Sequence, residues 1–106
     1  MKRVIASIHL TRTEEGGRKQ PLPPRIFGCP VFFENVPDLQ AHGYDCRMLL
    51  AEHGKRIPPG GTIGEIALLF LLADEVLPHM KPGVEFSLWE GKTIGSGTVV
   101  RVEDAP

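Results

Sequence analysis

The chain has 106 residues with 12 basic and 13 acidic side chains, a net charge of −1 and 42% hydrophobic residues. That is enough for one hydrophobic core and not for two, so residues 1–106 are read as a single domain. The balanced charge excludes a global bias toward nucleic acid or acidic membranes, and two cysteines are too few for a disulfide framework.

The charge is uneven along the chain. Residues 1–25 hold six basic and two acidic side chains, whereas residues 26–80 hold three basic and seven acidic ones. A local basic patch binds what a net charge does not. Lys2 and Arg3 precede only a short stretch of mixed polarity, unlike a signal peptide, and the expectation is a cytoplasmic protein with reduced thiols at Cys29 and Cys46. The apolar run Ile66–Leu72 is shorter than the roughly 20 residues needed to span a bilayer, so no membrane role is expected.

In chain order, Val4–Leu10 comes first. Val4, Ala6, Ile8 and Leu10 alternate with Ile5, Ser7 and His9, the period of a half-buried strand. A charged, proline-rich segment follows, "LTRTEEGGRKQPLPP". Phe27–Val36 is aromatic and contains Pro30, which fits a strand with an irregular or edge start. Tyr44–Leu50 is a third strand. Ile57-Pro58-Pro59-Gly60-Gly61 is a turn.

Thr62–Leu77 is ambiguous by periodicity. "IALLFLLADEVL" is rich in helix formers, yet a fully apolar run also suits a strand covered on both faces. Val84–Trp89 and Thr93–Val102 close the chain as strands joined by the tight turn Glu90-Gly91-Lys92. Gly95-Ser96-Gly97 signals a bulge or a close backbone approach. Twelve glycines and ten prolines cut the chain into short pieces. The pattern is all-β, a barrel or sandwich of about six strands.

Motifs for chemistry are sparse. No glycine-rich loop carries the Lys-Ser/Thr of a P-loop. His9, His42, His53 and His79 are scattered, and His42 with Cys46 lacks further metal ligands. No serine stands in a nucleophile motif, and Glu14-Glu15 and Asp74-Glu75 read as solvated pairs. Catalysis, metals and cofactors are therefore not expected. Trp89 with Glu90 at the final hairpin is one place to look: core packing is the default, because a tryptophan is costly to expose, and a contact role is the alternative. The informative feature is Arg18 beside Gly16-Gly17. A guanidinium next to accessible backbone amides suits a phosphate or carboxylate partner.

"EEGGRKQP" and "GVEFSLWEGKTIGSGTVVRV" resemble the C-terminal domain, the third domain, of bacterial elongation factor Tu. Val4–Leu10, Glu14–Arg18 and Pro30–Phe33 are similar in order to that family's strand, Glu-Glu-Gly-Gly-Arg loop and proline-entered aromatic strand. Pro59-Gly60 with Ile63–Leu72 is similar to its Pro-Gly turn and apolar strand. The resemblance implies a six-stranded antiparallel β-barrel with Thr62–Leu72 as a strand and Ala73–Pro82 as a loop. It also implies a partner-facing surface at Gly16, Gly17, Arg18, Lys19, Glu90, Gly91 and Lys92. Arg18 and Glu90-Gly91 match the family's tRNA-facing positions. Val31 stands where the family has a glutamine, Gln40 where it has a threonine, and Lys92 where it has Gly-Arg. The family's GTPase domain has no counterpart in these 106 residues. The expected function is a non-catalytic module that binds a protein partner, such as a translation factor or GTPase. The alternatives are tRNA backbone binding, or a decoy or immunity-type mimic of the factor; DNA is not expected.

Overall fold

The computed structural model describes residues 2–104. The alternation in the first strand defines the inside of the molecule. In β1 (Lys2–Leu10), Val4, Ala6, Ile8 and Leu10 are all at most 1% exposed. The same inward–outward pleat recurs in β2 (Ile26–Phe33), β3 (Tyr44–Leu49), β5 (Glu85–Trp89) and β6 (Thr93–Asp104). The six strands close into one antiparallel barrel in the order β1-β4-β3-β2-β5-β6. Closure pairs every strand with two neighbours and leaves no edge strand.

The ambiguous apolar segment is a strand. β4 spans Thr62–Phe70 and pairs with β1 and β3. Ile66, Ala67 and Leu68 are buried consecutively because the outer face of the wall is also covered there. Ile5 and Ala67, which point outward, lie in a depression of about 310 Å³ lined by Arg3, Glu52, Glu65, Arg101 and Glu103. The strand ends two residues before Leu72. Leu71 and Leu72 are 58% and 46% exposed, and the chain turns into α2 (Ala73–Val76) and a 3-10 turn at Leu77–His79. The expected open loop at Ala73–Pro82 thus contains helical structure, and Val76 anchors it in the core. A second short helix, α1 (Leu50–His53), follows β3 and buries Leu50.

Three features set the shape of the wall. Register shifts in β1 and in β5–β6 mark bulges. Gly97 allows close packing of the wall: a Cβ there would lie 2.4 Å from the Phe86 ring and 2.8 Å from Ile8, so the Gly-Ser-Gly signal does mark a close approach. The β2–β5 ladder covers only Val31–Phe33. Pro30 lacks an N–H to extend it, so the first half of β2 pairs with β3 alone. That leaves a seam in the wall beside Ile26–Pro30. At the far end, the rings of Tyr44, Phe70 and Phe86 gather around Phe33 with centroids 5.8–6.1 Å away.

Candidate functional site

Antiparallel closure sorts the connections between two ends. Residues 11–25, 50–61 and 90–92 emerge at one end, and residues 34–43 and 71–84 at the other. The first group holds seven basic and four acidic side chains; the second holds one basic and four acidic ones. The barrel is therefore polarised along its axis although its net charge is only −1.

The long first loop is built into this basic end. Leu22 is fully buried, and its backbone exchanges hydrogen bonds with Ile57 at 2.9 and 3.0 Å. Pro21, Pro23 and Pro24 around it reduce the freedom the loop loses on folding. The Thr13 hydroxyl donates to the Arg18 carbonyl at 2.6 Å. Gly16 takes a left-handed φ of 95°. Gly17 has no room for a side chain, since a Cβ would stand 2.1 Å from the Thr11 carbonyl oxygen.

These details revise the expected roles of the glycines. The Gly16 N–H donates to Thr13 at 3.1 Å and the Gly17 N–H to Arg12 at 2.9 Å. Both amides are consumed within the loop, so they do not form an anion cradle. Gly91 is a turn glycine with φ 72°. The Glu90 N–H closes that turn on the Lys92 carbonyl at 2.8 Å.

Arg18 is committed as well. Its guanidinium pairs with the Glu90 carboxylate, its Nε donates to the Gln20 carbonyl at 3.1 Å, and its Cζ sits 5.4 Å from the centre of the Phe27 ring. Only 19% of its side chain is exposed. It spans the seam left open by Pro30 and ties the first loop to the last hairpin. The expected main anion contact is therefore chiefly a brace.

Around this brace the structure does bring the expected residues together. Arg18, Lys19, Gln20, Glu90 and Lys92 line one shallow depression of about 320 Å³. Lys19 and Lys92 are exposed. Neither they nor Arg25, Lys55 and Arg56 form an ion pair among the described residues.

Next to the last hairpin, Trp89 takes the less favoured of its two expected places. Trp89 is 40% exposed rather than buried in the core. It ends β5 on the outward phase of the pleat, where the alternation of Phe86 and Leu88 already placed it outside. It packs edge-on against Phe32, also 40% exposed, with centroids 6.3 Å apart.

Among the described residues no group of three His, Cys, Asp or Glu side chains is placed to hold a metal, and no helix is long and apolar enough to cross a membrane. No family model matches the chain, and no curated protein matches it.

Proposed function

We propose that the protein is a non-catalytic binding module that docks an acidic surface of a protein partner on the basic end of the barrel. The observation that carries this reading is the set of uncompensated cations, Lys19, Arg25, Lys55, Arg56 and Lys92, at the end where Arg18–Glu90 holds two connections together. Lys19 and Lys92 supply point charges that attract carboxylates over a screened range. Trp89 and Phe32 supply the partly exposed aromatic area typical of contacts between proteins. The likeness of the loop and hairpin motifs to the third domain of elongation factor Tu supports a partner in translation, such as a translation factor or a GTPase.

RNA backbone is the second reading, favoured by the same cations and by the tRNA-facing positions of that family. With Arg18 neutralised by Glu90, fewer cations remain for phosphates, and backbone binding needs several contacts. Capture of partners on the immobilised protein, with and without ribonuclease, separates the two. The proposal expects protein capture that survives ribonuclease and weakens with salt. Capture that disappears with ribonuclease assigns the surface to RNA.

A further inference from the structure

Cys29 and Cys46 face each other across the β2–β3 ladder. Both are free thiols inside the barrel, 4% and 0% exposed, and belong to its apolar core. Their relation to the backbone follows from the neighbouring ladder. The Leu71 N–H donates to the Asp45 carbonyl at 3.1 Å, so Asp45 faces β4. Successive residues of an antiparallel strand turn their hydrogen-bonding groups to opposite neighbours, so Cys46 faces β2 and pairs through its backbone with Cys29. Such pairs have Cα atoms about 5.5 Å apart, inside the roughly 4.4–6.8 Å that a disulfide spans.

We propose that Cys29 and Cys46 are an oxidisable pair, a modification site in which a hydroperoxide converts two opposed thiols into a cross-strand disulfide.

The two sulfurs are not equivalent. The Cys46 side chain opposite it, and then the Trp89 backbone, hold the Cys29 thiol below its ordinary value despite burial. The Cys29 side chain, together with burial, raises Cys46 far above that value. Cys29, 4% exposed and next to Pro30 where the β2–β5 ladder ends, is the sulfur an oxidant reaches first and is the attacking one; Cys46, fully buried, resolves it. The Cys29 thiolate attacks one oxygen of hydrogen peroxide, the O–O bond breaks, and a sulfenic acid and hydroxide result; the hydroxide takes up the proton Cys29 lost on ionising and leaves as water. The Cys46 sulfur then displaces hydroxide from Cys29. The S–S bond forms, and the Cys46 proton leaves in a second water. Two electrons pass from the thiols to the peroxide.

Access is the remaining requirement, and the seam supplies it. Cys29 adjoins Pro30, where the β2–β5 ladder fails, and the seam is crossed there by the Arg18–Glu90 pair. A small oxidant enters beside this pair. Opening it accelerates the reaction.

The test treats the folded protein with hydrogen peroxide, then denatures it, alkylates free thiols and measures intact mass. The expected product is a monomer lighter by about 2 Da, with no alkylatable thiol and a Cys29–Cys46 cross-linked peptide, reversed by dithiothreitol. Cys46→Ala should instead accumulate a sulfenic acid on Cys29 that dimedone traps, while Cys29→Ala should leave Cys46 unmodified. Glu90→Ala should raise the oxidation rate several-fold. Two thiols still alkylated after treatment, linkage only between molecules, or a sulfinic acid on one cysteine without cross-linking would overturn the proposal. The wild-type mass decides the question even if a variant fails to fold.

Discussion

Arg18 and Glu90 are 72 positions apart in sequence, and their ion pair fastens the first loop to the last hairpin. The pair sits beside the short β2–β5 ladder, where the first half of β2 has no partner on that side. The guanidinium also covers Phe27, so its role combines charge with packing.

Arg18→Ala is expected to lower stability by about 1–2 kcal/mol, more than an exposed loop arginine contributes. A double-mutant cycle with Glu90→Ala should return a coupling of about 0.5–1 kcal/mol that shrinks in high salt. Arg18→Lys should recover only part of the loss, because an ammonium cannot bond Glu90 and Gln20 while lying flat on Phe27. Urea unfolding of the four proteins of the cycle and of Arg18→Lys checks this. Independent, additive losses would mean that the two side chains do not act together.

Gly97→Ala should destabilise the barrel by roughly 2–3 kcal/mol, because the added methyl meets the Phe86 ring and Ile8 inside van der Waals contact. Combining it with Phe86→Leu should cost less than the sum of the single changes, since the smaller side chain leaves space for the methyl. Thermal unfolding of the three variants measures this non-additivity.

Stability should fall in acid through the outer face of β1, β4 and β6. Arg101 holds the Glu65 carboxyl below its ordinary value near 4.5. Arg3, and then Arg101, do the same for Glu103. A carboxyl with a lowered folded pKa contributes stability above its ordinary value and loses it as the pH falls through the folded value. Melting temperature should therefore drop as the pH falls below about 4.5, and Glu65→Gln with Glu103→Gln should flatten that drop. Both carboxyls are solvent-accessible, so added salt should weaken the effect.

The wall of the barrel was legible in the sequence because its signals are local. Val4–Leu10 alternates, Gly95 and Gly97 announce close approach, and Glu90-Gly91-Lys92 sits between two alternating runs. The apolar run from Ile66 was undecidable by period. Its outer face is covered by charged side chains brought from β1, β6 and α1, and nothing in the run itself encodes that cover. Its end at Phe70 rather than Leu72, and the helix at Ala73–Val76 where a loop is expected, are boundaries that the continuous apolar run blurs.

The basic end was half legible. The spacing of Gly16-Gly17-Arg18 marks a special loop, but whether its amides and guanidinium are free depends on Arg12, Thr13 and Glu90. The last of these is reached only through the tertiary fold. For Trp89, residue type favours the core over a contact role, and the pleat of β5 carries the outward signal that decides between them. The pairing of Cys29 with Cys46 depends on the register of β2 against β3, which neither strand specifies alone.

The reading of this end as a docking surface is tested most directly by reversing its free charges. Lys19→Glu combined with Lys92→Glu leaves the Arg18–Glu90 brace in place and should shift the melting temperature little, since both side chains are exposed and form no ion pair among the described residues. Wild-type and double-variant proteins are immobilised, and ribonuclease-treated lysate is passed over each at low and moderate salt. The account predicts a salt-sensitive protein partner retained by the wild type and lost, by about tenfold or more, from the equally stable variant. Equal capture by the two proteins would contradict it.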